Sequence, residues 1–247
     1  MYNPHGERLT YHCGQQTFSG YLNVDRAAGS ERRPGILVVH EAFGITEQTQ
    51  RCTDRLAALG YVALAVDMYG NGNIATSVDQ AMGWMQPLLD DMPEIVRRFD
   101  AAKAQLQAHP KVDPSRIGAI GYCFGGSVVL YMARIGQALG AVVSFHGGLG
   151  PSTPPAPVPI EAKVLVCTGE ADPFVPRDDL VAFEAALRAA GADFEIASYP
   201  GAMHSFTNPE ATALGEKYGM PLAYDQAADT DSWQRMQRLF ESAFAVA

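Results

Sequence analysis

The stretch Ile117-Gly118-Ala119-Ile120-Gly121-Tyr122-Cys123-Phe124-Gly125-Gly126-Ser127-Val128-Val129-Leu130-Tyr131-Met132-Ala133 decides how the chain is read. Its first five residues form a strand pattern, and Ser127 to Ala133 form a helical one. Between them lies small-x-Cys-x-small. A nucleophile carried on a sharp strand-to-helix turn needs small neighbours, because the strained backbone brings the flanking residues close together. Gly121 and Gly125 supply them, and Gly126 permits close helix packing. The turn also sets Cys123 at a helix N-terminus, where the dipole favours a thiolate. It aims the backbone N–H of Phe124 at the place where an oxyanion would develop. Two plainer readings compete: cysteine is among the most buried residue types, and a glycine-rich turn can cradle phosphate. The second fails on pattern, since the turn is neither GxGxxG nor a P-loop.

Outward from this turn, short apolar β-rich runs alternate with helix-length amphipathic segments. The runs cover residues 36–40, 62–66, 117–121, 141–145, 163–167 and 194–199, and several are apolar throughout, as strands covered on both faces must be. Helices are expected near 46–59, 92–108, 124–138, 177–190 and 229–246, with Gly60 and Gly191 as left-handed caps. Residues 7–24 alternate as an opening antiparallel hairpin. The proline-rich stretch from Gly150 to Pro159 reads as a stiff surface loop. Such alternation predicts an α/β protein, a mostly parallel central sheet with helices on both faces. Its active residues collect at the carboxyl ends of the strands.

The 247 residues fit one domain over 1–247 with a sizeable core. A formal charge of −9 speaks against non-specific nucleic-acid binding. No apolar run approaches the roughly 20 residues that span a bilayer. The polar start Met1-Tyr2-Asn3-Pro4-His5 lacks the marks of a signal peptide, so a cytoplasmic location is expected. Cys13, Cys52, Cys123 and Cys167 lack CxxC spacing and read as free thiols.

His204 is the one histidine of six that follows the final strand, where a base would reach back over the Cys123 turn. Asp172, in Gly169-Glu170-Ala171-Asp172-Pro173-Phe174-Val175-Pro176, follows the preceding strand and would orient that imidazole. Its plainer reading is a turn residue or a cap for the helix near Arg177, and Glu170 is a rival acid. Nucleophile, acid and base then come in the chain order of α/β-hydrolases. In that fold the loop after the first long core strand, here His40-Glu41-Ala42-Phe43-Gly44, gives the second oxyanion N–H, and Ala42 is the candidate donor. Glu41 beside it would share or take the thiol proton; its plainer roles are a helix cap or a pair with Arg51.

The segments 40–44, 121–126 and 169–176, together with Ala202-Met203-His204-Ser205-Phe206, resemble the dienelactone hydrolase (carboxymethylenebutenolidase-like) family along nearly the whole chain, through the closing helix with Trp233. The resemblance implies an α/β-hydrolase fold and a triad of Cys123, Asp172 and His204. It also implies that Glu41 holds the resting thiol and helps generate thiolate when substrate binds. One departure concerns substrate. Members acting on dienelactone hold its carboxylate with two arginines. At one of those places this chain has Thr207-Asn208-Pro209, and near the other it has no Arg between Arg55 and Arg97. The charge-assisted clamp is therefore missing.

The expected activity is acyl transfer to Cys123 and hydrolysis of a small-molecule ester or lactone, with no cofactor and no metal. A thioesterase or acyltransferase using the same residues is one alternative. A non-catalytic binding or redox protein with a reactive thiol is another. Pocket walls are expected from residues 68–73, the proline-rich loop and residues 207–228. Met82, Trp84 and Met85, at helical spacing, read first as core or lid packing.

Overall fold

The structure, a computed structural model, describes residues 4–25, 31–150 and 158–245. Most of the proline-rich loop, residues 151–157, lies outside them. Among the described residues eight strands form a sheet in the order β1-β2-β4-β3-β5-β6-β7-β8, the mostly parallel α/β arrangement expected. The chain forms two compact units, residues 1–119 and 120–247, and strand β5 (Val112–Tyr122) runs through the boundary.

In the first unit, β1 (Glu7–Cys13) and β2 (Gln16–Val24) make the antiparallel opening hairpin, turning at Gly14 with φ +59°. Strand β2 runs antiparallel to β4 (Val62–Val66), and β4 runs parallel to β3 (Arg33–Val39). Ile36 to Val39 and all of β4 are fully buried. Helix α1 (Glu47–Ala58) packs on β2, β3 and β4, and α3 (Met92–Ala108) packs on β1, β3 and β4. Helix α3 forms for local reasons. Asp91 caps it by accepting the Glu94 N–H at 3.0 Å, Pro93 sits in its first turn, and Ile95, Phe99, Ala102 and Leu106 bury one stripe. Helix α2 (Val78–Leu89) was not among the expected helices. Only Ala81 and Leu88 of it are buried, too thin a stripe to read, and its Met82 is 41% exposed rather than core.

Beyond β4 the buried Asp67 organises a tight loop. Its carboxylate accepts the N–H groups of Ser19 (2.9 Å), Tyr69 (3.0 Å), Gly70 (2.8 Å) and Gly72 (2.8 Å). Gly70, Asn71 and Gly72 all take positive φ, a path glycine follows without Cβ strain.

In the second unit, β6 (Ala141–Phe145), β7 (Lys163–Gly169) and β8 (Phe194–Tyr199) run parallel. Helix α4 (Phe124–Arg134) packs on β6, and α7 (Gln226–Phe244) packs on β6 and β7, burying Trp233, Met236, Phe240 and Phe244. Helix α5 (Arg177–Ala189) lies between β7 and β8 in the chain and is followed by Gly191 at φ +66°. Helix α4 ends four residues before the expected 138. Residues 207–228, expected as a loop, contain the short helix α6 (Ala211–Tyr218).

Candidate active site

Cys123 stands between β5 and α4 as the N-cap residue, with φ 53° and ψ −115°. This is a backbone state that L-residues rarely occupy, held only where the surroundings over-determine it. The glycines explain how. A Cβ on Gly121 would lie 2.0 Å from the Gly125 carbonyl oxygen, and one on Gly126 would lie 2.6 Å from Ser144 Oγ and 2.8 Å from Gly147 Cα. The turn therefore closes only with hydrogen at these positions. Cys123 is half-exposed, unlike the core thiols Cys52 and Cys167, and burial pushes the Cys167 thiol up. Phe124 opens α4, so its N–H has no acceptor within the helix.

Asp172 and His204 meet in this unit. Asp172, at the end of β7, is buried, and its Oδ2 lies 2.7 Å from His204 Nδ1. Its Oδ1 accepts the Phe174 N–H at 2.8 Å. It does not cap α5, whose N-cap is Pro176, and Glu170 is exposed. Burial pushes the His204 imidazolium down. The charge of the Cys123 sulfur and its hydrogen bond to the ring, together with the Asp172 hydrogen bond and charge, reverse this and hold it up to about 10. With Nδ1 facing Asp172, Nε2 remains for the sulfur. The Phe174 ring meets His204 edge-on at 5.0 Å and is itself largely exposed.

Sequence reasoning passed over His146. It also stands at a strand end, directly after β6, and is fully buried, with its ring centroid 5.2 Å from that of His204. That strand-end position is the signal that could have found it.

In the first unit, Glu41 and Ala42 lie half-buried in the loop after β3. The buried His40 turns its Nδ1 to the Glu41 carbonyl oxygen at 2.6 Å, and its Nε2 accepts the Met68 N–H at 3.2 Å. Nδ1 therefore carries the proton and donates, and burial disfavours a second proton on the ring. The Glu41 carbonyl and the Ala42 N–H belong to one peptide group, so His40 fixes the direction of that N–H. Tyr69 fixes the next peptide, its hydroxyl donating to the Ala42 carbonyl at 2.8 Å. Arg51 pairs with Glu47, and the N-cap of α1 is Thr46. Arg97 and Arg98 both bind Glu94, and Arg98 also donates to the Met68 carbonyl at 2.7 Å. Among the described residues no group of three or more His, Cys, Asp or Glu side chains is arranged to hold a metal ion, and no helix is long and apolar enough to cross a membrane.

A strained cysteine turn between strand and helix, on a mostly parallel sheet, defines the class: a hydrolase of the α/β-hydrolase fold. Residues 18–244 match the model of the dienelactone hydrolase family, and the chain belongs to that family. It is a carboxylic ester or lactone hydrolase. A protein of Methylorubrum extorquens that carries the provisional name carboxymethylenebutenolidase is 32% identical over 218 residues, covering 84% of this chain and 71% of that protein. Among solved structures, a dienelactone hydrolase-like promiscuous phosphotriesterase from metagenomic libraries superposes with a TM-score of 0.91 at 35% identity, covering 98% of this chain and 99% of that one. A second, named m3DLH, superposes with a TM-score of 0.90 at 37% identity over the same shares.

Proposed function

We propose that the chain cleaves carboxylic esters or lactones through an acyl-enzyme on Cys123, with His204 as acid and base and Asp172 orienting it. The observations that support this reading are the buried Asp172 Oδ2 held 2.7 Å from His204 Nδ1 and a half-exposed Cys123 on a strained turn. The Cys123 thiolate attacks the carbonyl carbon, and the carbonyl electron pair moves to oxygen. The N–H groups of Phe124 and Ala42 take the oxyanion; the role of Ala42 comes from the sequence pattern, and the bond from His40 supports it by orienting that peptide. Collapse breaks the C–O bond, and His204 protonates the departing alkoxide. His204 then takes a proton from water, whose oxygen attacks the thioester, and sulfur leaves as thiolate. Glu41 enters through the family resemblance, holding the resting thiol and helping to generate thiolate.

The substrate class follows from the cations. Thr207 and Asn208 stand where relatives that act on dienelactone have an arginine, and Arg97 and Arg98 are both engaged by Glu94. An uncharged ester or lactone therefore suits the site better than a small carboxylate-bearing lactone. A second reading, turnover of phosphotriesters by attack of the same sulfur on phosphorus, is favoured by the 35% identity to a promiscuous phosphotriesterase. The alternatives carried from the sequence are a thioesterase or acyltransferase on the same residues, and a thiol-based binding or redox protein.

One panel separates these: p-nitrophenyl acetate, a neutral lactone, dienelactone, an acyl-CoA and paraoxon, each with wild type, Cys123→Ala and Glu41→Ala. The expected result is ester and lactone turnover that Cys123→Ala abolishes and Glu41→Ala reduces, with dienelactone a poor substrate. Acyl-CoA turnover above that of esters would favour the thioesterase. Equal slowness of wild type and Cys123→Ala on every compound would end the hydrolase mechanism proposed.

A further inference from the structure

We propose that His146 is a positioning residue, a strut that ties the turn carrying Cys123 to the loop carrying His204 and so sets the spacing of sulfur and imidazole. This rests on the reading of those two residues as nucleophile and base. His146 follows β6 with φ 42°, and its own N–H is fixed by the Cys167 carbonyl at 2.8 Å. Its Nδ1 accepts the backbone N–H of Cys123 at 3.2 Å, an N–H shared with the Phe145 carbonyl at 3.0 Å. Nδ1 therefore carries no proton. Nε2 must bear it, and it donates to Thr207 Oγ1 at 2.8 Å.

Both ring nitrogens are thus committed, one to the residue that bears the sulfur and the other to a residue three beyond His204. The ring is fully buried among aromatic neighbours. It packs edge-on against His204 and Phe206, with centroids at 5.2 and 5.3 Å, and tilted against Tyr122 at 5.9 Å. Burial, and then the charge of His204, push its own imidazolium well below the usual range, so it stays neutral beside a protonated neighbour. A neutral ring keeps the Nδ1 lone pair that holds the Cys123 amide. Proton transfer is not its task, since neither nitrogen faces the sulfur. The Thr207 position acquires a reason as well: where relatives that act on dienelactone have an arginine nearby, this chain anchors an internal histidine.

His146→Asn keeps an acceptor near the Nδ1 position and tolerates the left-handed backbone, but cannot reach Thr207. Thr207→Val removes the far anchor. Because misplacement of reacting groups by about 1 Å costs roughly a hundredfold, kcat on p-nitrophenyl acetate should fall about 10- to 100-fold in His146→Asn and less in Thr207→Val, with KM changed little. The decisive readout is the rate of Cys123 alkylation by iodoacetamide against pH, followed by mass spectrometry. Both variants should slow alkylation at neutral pH, and the double variant should be no worse than His146→Asn alone. An unchanged profile with only a lowered Tm, or effects that simply add, would make His146 mere packing and overturn the strut. If His146→Asn does not fold, the Thr207→Val profile alone decides. Turnover surviving in Cys123→Ala would instead sink the nucleophile reading, which the alkylation profile does not depend on.

Discussion

At Asp172 both carboxylate oxygens are taken, one by the His204 ring and the other by the Phe174 N–H. Asparagine has one acceptor where the site needs two, so Asp172→Asn either loses the Phe174 bond or turns an NH2 group towards Nδ1. The second outcome favours the wrong imidazole tautomer. Turnover of p-nitrophenyl acetate should then fall by a factor on the order of 10³ to 10⁴, as measured by kcat in purified, folded protein. A milder change tests the first unit. Tyr69→Phe deletes the hydroxyl that holds the Ala42 carbonyl, in the peptide next to the one bearing the proposed Ala42 donor, and should lower kcat about three- to tenfold. An unchanged kcat would show that fixing the peptide after Ala42 does not matter to turnover.

At the scale of elements, loops closed on single buried groups carry the larger structural effects. Asp67 accepts four backbone N–H bonds, two of them buried, and Asp67→Ala leaves the buried Tyr69 and Gly70 donors without their acceptor. A loss on the order of 3 kcal/mol or more is expected in urea unfolding, since each orphaned buried donor costs about 1–3 kcal/mol. Gly121→Ala is harsher on function than on the core. Its Cβ would need the space of the Gly125 carbonyl, so the turn must shift and Cys123 with it. The same elements explain what the sequence disclosed. Helices α1 and α3 were legible because caps and buried stripes coincide. Helices α2 and α6 were not, because Ala81, Leu88, Ala211 and Gly215 are too few or too small to mark a face. Cys123, Asp172 and His204 offer themselves as candidates in the sequence because each follows a strand in the expected order. His146 and His40 do not, because their contacts are made through backbone groups and a threonine 61 residues away, and no spacing rule encodes those.

For the molecule as a whole, His204 links stability to pH. Its folded-state pKa, about 10, stands above the ordinary 6.5, so the folded chain holds this proton more tightly than the unfolded chain does. The stabilisation is full below about pH 6.5 and is lost as pH rises through about 10. The Tm of wild type should therefore drop more between pH 7 and pH 10 than that of His204→Gln. Parallel curves for the two proteins would contradict the pairing of His204 with Asp172 and Cys123.

The backbone angle at Cys123 also constrains what evolution can try there. A φ of 53° with ψ −115° leaves no comfortable place for a second heavy atom on Cβ, so threonine and valine are closed by the main chain rather than by chemistry. Serine is unbranched and keeps the same shape, and a single nucleotide separates its codons from those of cysteine. The lineage can therefore exchange sulfur for oxygen in one step while the fold stands still. Cysteine and serine are neighbours on this turn, and threonine is not.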